Sequence, residues 1–261
     1  MTPSPVSDAG PPVSPKDTFV TVYGRKPVLE ALRDPALAVD KVILAEGADR
    51  EAVRTFTEAA RARGLVLQRA TAQRVKVLAG NGRQDQGVLA DVVAPRMRPV
   101  EHFLADLDPA APARVLVLDG LTNPANVGMI LRSATGAGLE GVLLPRRGVP
   151  AIDPLVIKAS AGVAFHAPVL RSRTAATGLA ALAEAGFVLF GLDGAARESL
   201  FGAELPERVA LVVGGETDGL TGDVRDELHG TLTIPLAEGV ESLNAACAAT
   251  VACFELARRR T

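Results

Sequence analysis

Three short segments combine carboxamide, carboxylate and guanidinium groups with glycine. Asn123-Pro124-Ala125-Asn126-Val127-Gly128 is followed by Arg132. Gly214-Gly215-Glu216-Thr217-Asp218-Gly219-Leu220 comes second, and Ile234-Pro235-Leu236 leading to Ser242-Leu243-Asn244 comes third. Amides and carboxylates orient polar partners, and an arginine fork grips an oxyanion such as a phosphate. Each segment lies at a junction between a strand-like and a helix-like run. In parallel α/β folds, ligands bind at such strand ends. Three junctions in the C-terminal half predict one composite site.

Each segment also has a plainer reading. Asn123 can cap a helix that Pro124 opens, with Arg132 solvated on its surface. Asn126 and Arg132 are six residues apart, about 600° of helix, so they share no face. They reach one site only if Asn126 acts at the helix entry. Gly214-Gly215 allows close backbone approach or simply a turn. Ser242 is expected to cap the last helix.

The elements that must hold these residues alternate along the chain. Residues 1–17 are a Pro-rich arm with too little apolar surface to order itself. Residues 18–94 read as a compact α/β domain. Its helices are expected at 27–32, 51–63 and 72–78, and its strands at 41–44, 65–67 and 88–93. Residues 95–113 read as a linker with one short helix near His102. Residues 114–261 give five apolar strands, 115–118, 142–144, 187–192, 209–213 and 232–236, separated mostly by helices. That pattern predicts a largely parallel sheet. The last helix is expected over 243–260, with Leu243, Ala246, Cys247, Thr250, Val251 and Phe254 on its packing stripe. Arg258, Arg259 and Arg260 suit its C-terminal dipole.

Composition narrows the function. Aromatic residues are 3% of the chain and Trp is absent, which disfavours a base-stacking platform. Residues 1–98 carry 15 Lys and Arg against 11 Asp and Glu, whereas residues 99–261 carry 13 against 19. A polyanion would therefore dock N-terminally first. Cys247 and Cys253 lie on different helix faces and read as small buried residues of a reducing compartment. No apolar run is long enough for a membrane span, and the N-terminus lacks a signal core, so a cytoplasmic location is expected. The scattered His102, His166 and His229 predict no metal site. Gly136-Ala137-Gly138-Leu139-Glu140-Gly141 fits a dinucleotide fingerprint in letters only. It follows a helix and precedes a strand, the reverse of what that fingerprint needs.

Taken together, the segments resemble the signature motifs of the SpoU/TrmH family of RNA ribose 2′-O-methyltransferases. The likeness runs through Asn126 to Arg132 with Ser133-Ala134, through Gly214 to Leu220, and through Ile234 and Asn244 to Glu255. It also includes Lys158-Ala159-Ser160-Ala161-Gly162 and Val115 to Gly120. Val22-Tyr23-Gly24-Arg25-Lys26-Pro27-Val28 and Gln86-Gly87-Val88 resemble the small ribosomal-protein-like RNA-binding domain of rRNA-modifying members, although Asp85 stands where such members often have His. The resemblance implies a trefoil-knotted parallel-sheet α/β domain of the SPOUT type behind a smaller α/β RNA-binding domain. It implies S-adenosylmethionine as cofactor, RNA as substrate (ribosomal RNA before transfer RNA) and a homodimer. It places Gly214, Ile234, Leu236 and Leu243 at the cofactor, and Asn126, Arg132, Glu216, Ser242 and Asn244 at the reaction. A non-catalytic RNA-binding protein on the same scaffold is the alternative, and an intact polar set argues against it.

Overall fold

A computed structural model describes residues 17–80 and 84–260. The expected arm therefore lies, apart from Asp17, outside the described residues. The N-terminal part is built from β1 (Phe19–Tyr23), α1 (Arg25–Arg33), β2 (Val39–Ala45), α2 (Arg50–Ala62), β3 (Leu67–Ala70), α3 (Ala72–Ala79) and β4 (Val88–Val93). Its strands lie in the order β1-β4-β2-β3, with β4 antiparallel to both neighbours. Local chemistry explains the helices. Asp49 caps α2 by accepting from Ala52 N, and Ala52, Phe56 and Ala60 form its buried stripe. Gly64 leaves that helix at φ +69. The strand β1 was not among the expected elements. It is a five-residue edge strand whose pattern is only partly alternating.

The C-terminal part continues with β5 (Arg98–Pro99), α4 (Val100–Ala105), β6 (Ala113–Leu118), α5 (Pro124–Gly136), β7 (Gly141–Leu143), α6 (Pro154–Ala159), β8 (Val169–Arg171), α7 (Ala175–Glu184), β9 (Val188–Leu192), β10 (Arg208–Val213), α8 (Gly222–Arg225), β11 (Gly230–Leu232) and α9 (Ala245–Arg258). Seven strands lie in the order β11-β9-β10-β6-β7-β8-β5, and every pairing is parallel. All their C-terminal ends therefore open on one edge. The central strand β6 explains why both faces are covered. Alternate residues point to opposite faces of a strand. Leu116 and Leu118 pack with Ile130 and Leu131 of α5 and Ala249 and Cys253 of α9. Val115 and Val117 pack with Leu179 and Leu182 of α7.

Several expectations shift. The short β8 joins the five expected strands, and β11 stops at Leu232. Thr233 bridges Ser199 instead, so Ile234-Pro235-Leu236 leaves the ladder as a free loop. Within the expected linker, β5 pairs with β8, and Val100 and Phe103 of α4 are buried against the large sheet. Gly136 ends α5, Gly138 turns at φ +72 and Gly141 opens β7, so the glycine-rich decoy is a helix stop as read.

The last helix differs most. It packs through Ala245, Ala246, Ala249, Ala252, Cys253 and Leu256, leaving Cys247 and Phe254 exposed. Small residues let α9 lie close to α5, and the bulkier apolar stripe is turned outward. Cys247 is therefore not the buried residue expected. Cys253 is, and burial pushes its thiol up to about 12. The terminal arginines do more than answer the helix dipole. Arg258 and Arg259 both bind the Glu255 carboxylate, and Arg259 also donates to the carbonyls of Ala203 and Leu200. Arg260 binds Glu140 and the Gly138 carbonyl.

Helix α5 is held close to α6 at Gly128. A Cβ there would lie 2.5 Å from the Val156 carbonyl oxygen and 2.6 Å from Ala159 Cβ. Gly128→Ala is expected to destabilise the fold by about 1–3 kcal/mol through overpacking. Urea unfolding of the variant beside the parent chain measures it.

Candidate active site

At the C-terminal end of β6 the chain turns through Asp119 and Gly120, which has φ +62. The buried Asp119 carboxylate accepts from Thr221 N at 2.7 Å and Thr221 Oγ1 at 3.2 Å. This pins the far end of the segment that follows β10. Within that segment Gly215 and Gly219 exchange two backbone hydrogen bonds of 3.0 Å, so Glu216, Thr217 and Asp218 form the tip of a closed loop. The two leading glycines are required by crowding. A Cβ on Gly214 would lie 2.4 Å from the Gly219 carbonyl carbon, and one on Gly215 would lie 2.5 Å from the Gly120 carbonyl oxygen.

That loop brings Glu216 to the start of α5. Asn123 caps this helix by accepting from Ala125 N, and Pro124 takes its first turn, as the sequence predicted. Asn126 is buried in that turn and donates through Nδ2 to Glu216 Oε1 at 2.5 Å. Asn244 donates through Nδ2 to the same Oε1 at 2.6 Å and to Asn126 Oδ1 at 3.3 Å. The Asn244 oxygen meanwhile accepts from Ala246 N and Cys247 N, which makes Asn244 the cap of α9. The cap role expected of Ser242 therefore belongs to Asn244, two residues later. Capping also fixes the amide's orientation: its oxygen faces backbone N–H groups, so its NH2 must face Glu216.

Beside this polar triangle lies a cleft of about 540 Å³. Gly214, Ile234, Leu236 and Leu243 all line it, as do Glu216, Ser242 and Asn244. Asp193, Arg225 and Glu241 line it too and were not foreseen. Arg225 bridges Asp193 at 3.0 Å, and the backbone N–H of Ala195, followed by this guanidinium, holds the Asp193 carboxyl below its ordinary value. Asp193-Gly194 follows β9 as Gly214-Gly215 follows β10. The strand-end rule that singled out Glu216 could thus have found Asp193 as well.

Arg132 stands apart. It is exposed two turns along α5 and has no hydrogen-bonding or ionic partner among the described residues. The six-residue spacing already placed it off the Asn126 face. Among the described residues no group of His, Cys, Asp and Glu could hold a metal ion.

Known proteins resemble this chain in sequence and fold. Residues 113–254 match the SpoU rRNA Methylase family, and residues 21–98 match the family described as RNA 2′-O ribose methyltransferase substrate binding. Over 242 residues the chain is 37% identical to a 23S rRNA (guanosine-2′-O-)-methyltransferase of Xylella fastidiosa, covering 92% of this chain and 96% of that protein. The SpoU methyltransferase AviRb from Streptomyces viridochromogenes, solved in complex with the cofactor AdoMet, is similar in fold. Its TM-score is 0.62 at 24% identity, over 93% of this chain and 91% of that one. A Porphyromonas gingivalis protein assigned to the TrmH family of RNA methyltransferases has a TM-score of 0.60 at 26% identity, over 94% and 91%.

The double duty of Asn244 separates two substitutions. Asn244→Ala removes the cap of α9 and is expected to cost about 1 kcal/mol. Asn244→Ser keeps a cap oxygen without setting a second carboxylate against Glu216, and should retain most of that stability. Thermal unfolding of both variants tests the difference.

Proposed function

The chain belongs to the SpoU rRNA Methylase family and is an S-adenosylmethionine-dependent RNA ribose 2′-O-methyltransferase; on that premise we propose that it methylates a guanosine of 23S ribosomal RNA through Asn126, Arg132, Glu216, Ser242 and Asn244. The observation that carries the assignment of residues is the shared Oε1 of Glu216, which accepts from both Asn126 and Asn244 at the rim of the cleft. The identity to the Xylella fastidiosa 23S rRNA enzyme supports the choice of RNA.

The cleft suits the cofactor. Its volume of about 540 Å³ falls in the range of small-molecule sites, roughly 300–1,000 Å³. Ile234, Leu236 and Leu243 give an apolar wall for adenine, while backbone groups of the 214–219 loop can read its edge. Glu241 adds negative charge for a cationic donor, whereas Asp193 is paired with Arg225. When bound, the cofactor supplies an electrophilic methyl group on a positively charged sulfur.

The protein's own residues position the acceptor. Asn126 and Asn244 hold Glu216 from two sides, so its second oxygen is left to orient a donor from ribose or ligand. Ser242 adds a hydroxyl to the same lining. A guanidinium stays protonated and makes a poor base, so Arg132 serves as a clamp on the target nucleotide's phosphate. That phosphate takes the proton of the 2′-hydroxyl. Alignment of the hydroxyl with the methyl donor then favours transfer.

Residues 18–94 form the RNA-binding domain in this reading, and residues 114–261 the catalytic domain, joined through 95–113. The trefoil knot of the resemblance is part of it. The β6 turn lies against the 214–220 loop, and Asn244 reaches that loop through Glu216, which is in keeping with it. A second copy is placed on the outer face of α5 and α9. Met129 and Phe254 are 42% and 53% exposed there, and Ser133 Oγ lies 2.7 Å from Thr250 Oγ1 between the helices. The work is assigned to the cytoplasm, where ribosomal RNA is found. No helix among the described residues is long and apolar enough to cross a membrane.

Arg132→Ala should abolish methyl transfer to 23S rRNA and leave cofactor affinity within twofold of the parent. Calorimetric titration with S-adenosylmethionine and transfer of labelled methyl to RNA measure the two; parental turnover would refute the assignment. Mapping 2′-O-methyl sites in ribosomal RNA with and without the protein identifies the nucleotide. The double variant Met129→Glu/Phe254→Glu should sediment as a monomer where the parent sediments as a dimer.

A further inference from the structure

The same edge of the sheet carries a second polar cluster, over β7 and β8. Arg146 and Arg147 follow β7, Arg171 ends β8 and Arg173 comes two residues later. The two turns are tied together, with Leu144 N donating to Leu170 O at 2.9 Å and Arg146 N donating to Ser172 O at 3.0 Å. Arg171 donates through Nη1 to the Leu144 carbonyl at 2.8 Å, while its buried Nε has no partner among the described residues. Burial lowers this guanidinium to about 10, partly offset by Asp17, so it remains charged near neutrality. Arg147 and Arg173 are exposed and have no ionic partner among the described residues.

The local charge is out of keeping with its surroundings. Residues 99–261 hold 13 Lys and Arg against 19 Asp and Glu, yet four arginines gather here. Asp17 is buried and committed to Arg146. Asp153, which lines the neighbouring cleft with Arg171, is occupied in capping α6. Unmatched guanidinium groups on an otherwise acidic domain fit a polyanion, and their planar forks match phosphate. Position fits as well. In the sheet order, β8 is three strands from β10. At about 4.8 Å per strand, the cluster lies about 14 Å from the strand that presents Glu216. That is a reach of a few nucleotides. The cluster also borders the N-terminal part, since Phe19, Thr21 and Tyr23 line the cleft that contains Arg171.

We propose that Arg147 and Arg173 bind the RNA backbone a few nucleotides from the methylated ribose, over the enclosed Arg171, and so carry the strand from the N-terminal domain to the active site. This rests on the methyltransferase reading above. Asp17 fixes Arg146 as part of the cluster's base, and the two outer arginines do the gripping.

The test is the double variant Arg147→Ala/Arg173→Ala, assayed on 23S rRNA from cells lacking the protein. The KM for RNA is expected to rise at least tenfold, with kcat at saturating RNA and S-adenosylmethionine affinity within twofold of the parent. Two lost phosphate contacts should flatten the slope of log binding constant against log salt by about 1.4–1.8. The double variant Arg147→Lys/Arg173→Lys should recover most of that slope, because it keeps the charge. A double variant with parental KM and parental salt slope overturns the proposal, even if the parent methylates this RNA fully. A parent that does not methylate 23S rRNA overturns the choice of substrate instead, and the salt slope on the same RNA still decides the fate of the two arginines.

Discussion

The site depends on one close backbone crossing. The turn after β6 and the loop after β10 approach so tightly that a side chain at 215 would collide with the Gly120 carbonyl. Asp119 holds the crossing from one side by binding Thr221. Without it the loop tip would not reach α5, and Glu216 would be an isolated surface carboxylate. The parallel sheet supplies the other condition. It presents the ends of β6, β9, β10 and β11 along one edge, so segments distant in sequence share a rim.

Asn244 links this rim to the scaffold. Its oxygen starts α9 and its nitrogen holds Glu216, so the position of a helix sets the position of a carboxylate. Helix α9 is anchored at its far end by Arg259, which reaches the carbonyls of Leu200 and Ala203 in the β9–β10 connection. The polar triangle is therefore braced by packing rather than by the exposed segment before it. That segment, residues 236–243, is exposed throughout.

Much of this was legible in the sequence. Apolar runs at 115–118 and 209–213 gave buried parallel strands, because residues covered on both faces leave no alternation to misread. The decoy fingerprint was rejected on context alone. The strands β1, β5 and β8 were not legible: β1 is an edge strand with an irregular pattern, and β5 and β8 are two and three residues long. The packing stripe of α9 was misjudged because bulk was taken as the sign of burial. Alanine forms the buried face, since close approach to α5 admits only small groups. At the site, the family resemblance singled out Glu216, Asn126 and Asn244, whereas their geometry depends on contacts across the fold. Ser242 was assigned the cap because serine is common there, yet Asn244 stands at the helix boundary. Arg225 carries no motif, Asp193 shows only its strand-end position, and the two halves of the Asp119–Thr221 pin are brought together by the sheet order.

The polar triangle has a consequence for how the chain reaches its working state. Asn126 and Glu216 are 90 residues apart, and Asn126 and Asn244 are 118 apart. Contacts this distant in sequence form only after most of the intervening chain is ordered, and such topologies fold slowly. Local helices can form early, but no subset of them holds two sides of the triangle. Partly folded chains would thus carry the motif residues without a competent arrangement of them, and activity should arrive as a late, all-or-none event in folding.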